Sequence, residues 1–432
     1  MFLTYDEVYE WIHSHVKFGI KPGLERMEWM LDKLGAPERE LKAIHVGGTN
    51  GKGSTVTYLR SILNDASYQV GTFTSPAVVH FNERISVNGI PITDEEMIET
   101  ASALYSITRE MENTKVGAPT EFEIITAMAI YYFAKIRPVD IAILEVGLGG
   151  RFDSTNVIDP LLSIITNVGL DHTQILGDTI EKIAYEKAGI IKKETPVFTS
   201  VQSPIALNVI KEEAFKKKAP IFQLGEDFLI SDYESVDNGE QFTLQFNQQT
   251  YKNLTTALIG EHQTKNAAGA VASLLHLHSK HIIDITLENI KNGLQFAYWP
   301  GRFEKLQEHP DIIIDGAHNP EGLEAFSEAI NARYPDKKIH LVFAALDDKD
   351  INEMLNILSK TSAKIYLTQF DHPRASKVEN IKENVNQNVM IYDNWQELLT
   401  SLVQTISKTD ILAITGSLYF ISQVKPFIVK VT

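Results

Sequence analysis

Gly47-Gly48-Thr49-Asn50-Gly51-Lys52-Gly53-Ser54 follows the short apolar run Ala43-Ile44-His45-Val46 and opens a helical pattern over residues 55–63. A strand that turns through glycines into a helix aims backbone N–H groups into one concavity. The helix dipole favours anions there, and a lysine reaches the terminal phosphates. The stretch predicts a cradle for a nucleoside triphosphate, with Gly48, Thr49, Asn50, Gly51, Lys52, Gly53 and Ser54 as its contacts. One position departs from the usual P-loop spelling. Gly53 separates Lys52 from Ser54, where the ordinary motif sets the hydroxyl directly after the lysine. The competing reading is a tight strand-to-helix turn carrying a solvated lysine.

Working outward, short β-branched runs alternate with longer helical ones from residue 43 to about 294. Residues 141–146 and 161–166 read as buried strands, and 121–136 and 179–191 as helices. Such alternation predicts an α/β fold with a mainly parallel sheet and helices on both faces. A second, smaller Rossmann-like alternation begins after Tyr298-Trp299-Pro300-Gly301. Its strand candidates are 312–314, 339–343, 364–368, 389–392 and 411–415, and its helices include 322–333 and 395–406. The Trp-Pro-Gly punctuation interrupts the period, so the expected domains are 1–297 and 298–432. Between them, 228–251 reads as a hairpin insertion, with alternation in Phe242-Thr243-Leu244-Gln245-Phe246 and turn chemistry in Asp237-Asn238-Gly239.

At 432 residues the chain exceeds what one core usually supports. Its formal charge of −16 argues against a nucleic-acid or anionic-membrane partner, each of which needs a broad cationic face. The absence of cysteine excludes disulfides and thiolate metal sites and suits a cytoplasmic location. Residues 1–15 carry Asp6, Glu7 and Glu10 where a signal peptide is basic and then apolar. No apolar run approaches the ~20 residues of a membrane span.

Glu145 closes the apolar strand Ile141-Ala142-Ile143-Leu144. Ligands of open parallel sheets sit beyond the carboxyl ends of strands, so a carboxylate there suits a metal ion held against phosphate oxygens; the alternative is a pair with Arg151. His172 follows the next strand in the same way, and reads equally as a ligand or as a hydrogen-bonded loop histidine. Lys187 falls seven after Ile180 and four after Ile183, on the apolar stripe of its helix. Periodicity favours a stem that snorkels to a neighbouring carboxylate. The other reading is functional, because burial lowers a lysine's pKa and yields a neutral amine able to take up carbon dioxide as a carbamate. Gly260-Glu261-His262-Gln263-Thr264-Lys265-Asn266, expected just ahead of a helix over 267–277, joins Gly301-Arg302-Phe303 and Asp315-Gly316-Ala317-His318-Asn319-Pro320 across the domain junction. Together they predict an interdomain cleft.

These motifs, with Thr74-Ser75-Pro76, Phe81-Asn82-Glu83-Arg84-Ile85, Glu145-Val146-Gly147-Leu148-Gly149-Gly150-Arg151, Asp153-Ser154-Thr155-Asn156, Leu170-Asp171-His172 and Glu186-Lys187-Ala188-Gly189-Ile190, run through most of the chain in one order. The chain resembles the folylpolyglutamate synthase and dihydrofolate synthase group of the Mur ligase superfamily. That resemblance implies an ATP- and magnesium-dependent amide ligase, monomeric, that adds L-glutamate to a reduced folate. It implies that Ser75, Glu145 and His172 hold magnesium, with Lys187 carried as a carbamate beside them. Asn266, Arg302, Asp315 and His318 match ATP-contacting positions, and Lys52, Lys187 and His318 are the expected catalytic residues. Arg84, Thr120, Phe122 and Asp153 match positions that meet the pterin-bearing substrate. Many bifunctional members carry histidine after Ser-Pro, where this chain has Ala77, so folate extension is expected ahead of glutamate addition to dihydropteroate.

Two rival readings remain at this level. A related ligase for peptidoglycan precursors would need a leading uridine-nucleotide domain, and the phosphate loop begins only 47 residues in. A nucleotide-binding switch that forms no bond leaves Lys187 and the motif at 315–320 without a role.

Overall fold

The structure, a computed structural model, describes residues 2–19, 21–361, 363–380 and 389–431. Its first sheet has eight strands: β1 (Ala43–Gly47), β2 (Val70–Phe73), β3 (Ile85–Val87), β4 (Ile90–Pro91), β5 (Ile141–Glu145), β6 (Leu162–Ile165), β7 (Val197–Thr199) and β8 (Ile221–Gln223). Their order is β4-β3-β2-β5-β1-β6-β7-β8, parallel from β2 to β8, with β3 and β4 added antiparallel at one edge. Every residue of β1 and β5 is buried, because helices cover both faces. Ile44, Val46, Ile141 and Ile143 pack against the helices Lys52–Asp65 and Glu261–Ser279. Ala43, Ala142 and Leu144 face the opposite layer, built by Tyr5–His13, Glu25–Lys33, Asp94–Glu112 and Glu121–Tyr131. No described helix is long and apolar enough to cross a membrane.

The insertion is a three-stranded antiparallel sheet, β9 (Phe228–Val236), β10 (Gly239–Phe246) and β11 (Gln249–Thr256), rather than a single hairpin. The first turn falls at Asp237-Asn238 as expected. The second uses Asn247 and Gln248, both at positive φ, a hairpin turn without the glycine that usually announces one. Phe242, Leu244 and Phe246 bury their side chains in the core beneath the 261–279 helix. At the hairpin tip, the Arg333 guanidinium donates to the carbonyl oxygens of Val236 and Asp237, joining the insertion to the C-terminal lobe.

That lobe holds a six-stranded sheet of β12 (Glu304–Gln307), β13 (Asp311–Ile314), β14 (Ile339–Phe343), β15 (Lys364–Leu367), β16 (Val389–Ile391) and β17 (Ile411–Thr415), ordered β12-β13-β17-β14-β15-β16. All its pairs are parallel except β12 with β13. All five strands expected here are present. β12 was not foreseen, since Glu304-Lys305-Leu306-Gln307 is an edge strand with a single apolar residue and shows no period.

Three expected boundaries move: the helix expected over 179–191 runs only over Ile180–Ala188, and two others shift for visible reasons. The helix expected over 121–136 is α-helical only to Tyr131 and widens over Tyr132–Ile136, where Arg137 N–H reaches the Tyr132 carbonyl at 2.8 Å; Pro138 ends it. The helix expected from 267 starts at Glu261, because Gly260, at φ 109, makes the entry turn and its N–H is held by Glu240 at 2.8 Å. Gln263 and Asn266 therefore stand on the first turns of that helix.

Candidate active site

The carboxyl ends of β1, β5 and β6 face those of β13 and β17 across one cavity of about 410 Å³, a size that suits a small-molecule ligand. Gly51 precedes the helix Lys52–Asp65 with no side-chain cap, so the helix's leading N–H groups point into the cavity unsatisfied. The loop is held from behind. Asn167 accepts the N–H of Thr49 at 3.1 Å and that of Asn50 at 2.7 Å, and Thr166 Oγ1 donates to the Asn50 carbonyl at 2.5 Å. Lys52 Nζ folds back to the carbonyls of Gly48 and Thr49, at 3.1 and 3.0 Å, a cation placed over the loop it would share with phosphate. All seven expected contacts, Gly48 through Ser54, line the cavity.

Gly53 has a partner that the sequence did not reveal. A Cβ added there would lie 2.8 Å from three indole atoms of Trp299, the residue that leads from the first lobe into the second. The departure from the ordinary P-loop spelling is thus where the interdomain linker rests on the phosphate loop. Gly53→Ala is expected to weaken binding of a non-hydrolysable ATP analogue by about tenfold or more, because loop or indole must shift. Equilibrium dialysis reads this directly, and unaltered affinity would show the contact to be inconsequential.

Ser75, Glu145, His172 and Lys187 line the same cavity. Glu145 is 4% exposed, and among the described residues its carboxylate accepts one hydrogen bond, from Ser75 N–H at 3.3 Å. Burial raises its pKa against the opposing pull of Lys52 and Arg302. Arg151 is not its partner: that guanidinium lies 3.9 Å over the Tyr185 ring and 3.5 Å from Glu213. A buried carboxylate with one long donor, on the same cavity as the Ser75 hydroxyl and the His172 imidazole, fits a magnesium ion completed by phosphate oxygens and water. No group of three or more His, Asp or Glu placed to hold a metal occurs among the described residues.

Lys187 is 4% exposed and has no hydrogen-bond or ion-pair partner among the described residues. The snorkelling reading fails here, since no carboxylate stands at ion-pair range from its ammonium. Burial, reinforced by the charge of Lys52, pulls its pKa down to about 7. Burial therefore favours the neutral amine at this position.

From the second lobe come Arg302, Asp315 and His318, and from the 261–279 helix Asn266, all lining the cavity. Asp315 accepts N–H from Phe303 and from Ala317, both at 2.8 Å, tying together the loops that carry Arg302 and His318. Asn266 closes over Gly51, where any Cβ would strike its amide. Burial lowers the His318 pKa to about 4. Its Nδ1 lies 2.8 Å from the Gly316 carbonyl, so in the neutral ring Nδ1 carries the proton and Nε2 the lone pair.

The four expected substrate residues lie together beside this cavity and do not line it. Arg84 stacks between the rings of Phe81 and Phe122, 5.4 and 5.8 Å from their centroids, and donates to Glu121 at 3.3 Å. Its Nε is buried without a hydrogen-bond partner among the described residues. The tip of the Phe122 ring packs against Gly147, and Thr120 caps the helix Glu121–Tyr131. Asp153 is turned inward, accepting from Leu148 N–H at 2.8 Å and from both the N–H and the hydroxyl of Thr155. Its carboxylate shapes the Gly147-Leu148-Gly149 turn. Sequence reasoning also missed Asn167 and Lys349, and it quoted Asn319 only as part of a cleft motif; the partners of all three lie more than a hundred positions away.

Residues 46–274 match the Mur ligase middle domain and residues 301–418 the Mur ligase glutamate ligase domain. A dihydrofolate synthase/folylpolyglutamate synthase of Bacillus subtilis (strain 168) is 45% identical over 429 residues, covering 98% of this chain and 99% of that one. The folylpolyglutamate synthase of Mycobacterium tuberculosis complexed with ADP superposes with a TM-score of 0.90 at 29% identity, over 98% of this chain and 97% of the other. A folylpolyglutamate synthase complex with AMPPCP and folate gives 0.86 at 32%, over 99% and 100%. With a phosphate loop, an inward lysine and a second-lobe arginine on one cavity, and near-complete coverage by these relatives, the chain belongs to the Mur ligase family, in its folylpolyglutamate synthase and dihydrofolate synthase branch.

Proposed function

We propose that this enzyme joins L-glutamate to the γ-carboxylate of a reduced folate or folylpolyglutamate, using ATP. The observation that carries the reading is the single cavity in which Lys52 and its loop oppose Arg302 and His318 from the other lobe. A carboxylate oxygen attacks the γ-phosphorus and ADP leaves. The glutamate amine then attacks the acyl carbon, and phosphate departs with one oxygen of the original acid. An acyl phosphate also reacts with water, so the two lobes must close before chemistry. The Lys52 loop and Arg302 spread the phosphate charge as it moves. Magnesium, held by Ser75, Glu145 and His172 with Lys187 as a carbamate, would supply further charge neutralisation at the phosphates. Arg84 and Phe122 supply a cation and an aromatic face for the folate. The boundary between lobes falls at 297/298, and the protein acts on small molecules as a cytoplasmic monomer.

A second reading adds dihydropteroate as an acceptor. It is favoured by the double name of the 45%-identical B. subtilis relative, against which Ala77 weighs little. Both are tested with 18O in the acceptor carboxylate. One labelled oxygen is expected in released phosphate for each amide formed, and unlabelled phosphate would refute acyl-phosphate chemistry. Mass spectrometry of products from tetrahydrofolate and dihydropteroate, run in parallel, separates one acceptor from two.

A further inference from the structure

Asp171 belongs to the loop after β6, yet both side-chain donors to its carboxylate come from the other lobe. Lys349 Nζ stands 2.6 Å from Oδ1 and Asn319 Nδ2 3.1 Å from Oδ2; the remaining donor is the adjacent His172 N–H at 2.9 Å. The ion pair is out of water, with the two side chains 8% and 10% exposed. Pairs in that setting are strongly disrupted when one member is lost, because the other is left charged and unmatched. Asn319 also bonds Asn50 of the phosphate loop in both directions, at 3.0 and 3.2 Å, while its Oδ1 caps the helix Pro320–Arg333.

One second-lobe residue therefore holds both the phosphate loop and Asp171, and Asp171 is covalently next to the cavity histidine His172. We propose that Asp171, Lys349 and Asn319 form a latch between the lobes, in which Asp171 is a positioning residue that keeps the site shut while the activated acid waits for its amine. This rests on the acyl-phosphate reading above. A loosened latch admits water, so phosphate is released without amide formation.

The test counts phosphate released per amide formed in the full-length enzyme with tetrahydrofolate, glutamate and ATP. The unaltered enzyme is expected to give one to one; phosphate without any amide would instead count against the proposed function itself. Asp171→Asn and Lys349→Met should each raise the ratio about threefold or more, and the double variant no further than the larger single, since the link that Lys349→Met cuts is already lost in Asp171→Asn. Asn319→Asp retains a good helix cap but sets like charge against Asp171, and should uncouple in the same way even if the other variants fold poorly. A ratio that stays at one in the folded variants, whatever their kcat, would overturn the latch. So would singles whose effects multiply in the double variant.

Discussion

Lys187→Ala is expected to lower kcat by roughly 10²–10³-fold while leaving the affinity for a non-hydrolysable ATP analogue within about twofold. The split follows from position. Lys187 lines the cavity at the end of the helix Ile180–Ala188, and no other described residue pairs with it; the phosphate loop is held independently by Asn167 and Thr166. Removing the lysine deletes a group placed for the reaction and leaves the cradle standing. Quench-flow single turnovers against equilibrium dialysis separate the two quantities. A 13C signal from labelled bicarbonate, present in the parent enzyme and lost in the variant, would mark the carbamate. An alanine variant of full activity would end that assignment.

Glu145→Gln should raise the magnesium concentration for half-maximal rate about tenfold or more, with a fall in kcat at saturating metal. The substitution keeps volume and the contact with Ser75 N–H but removes the negative charge that now faces Lys52 and Arg302. Titrating activity against magnesium gives the answer, and an unmoved midpoint would strike Glu145 from the ligand set.

The elements legible in the sequence were those with a strong period or a glycine signature. The strands read at 141–146, 161–166 and in the second lobe, the phosphate loop and the strand-end carboxylate Glu145 lie where the pattern put them, since strands buried on both faces leave unbroken apolar runs. What stayed hidden depends on long-range partners. Nothing local to Trp299 says that it rests on Gly53, and nothing near Asp171 points to Lys349, 178 residues on. Lys187 shows the limit of periodicity from the other side: its stripe position was readable, but only the lack of a carboxylate at ion-pair range among the described residues decides against snorkelling. Asp153 and Thr120, expected to meet substrate, spend their polar atoms on the chain itself, which residue type alone does not disclose.

The clasp of Arg333 on the hairpin tip has a mechanical corollary. The C-terminal lobe is pinned to the rest at the Trp299 crossing and again at Val236 and Asp237. With the Asp171 latch released, a body held at those two points keeps one easy freedom, a swing about the line through them, as a door turns on its pins. Three strands that lie outside the cavity lining would then decide which way the enzyme opens.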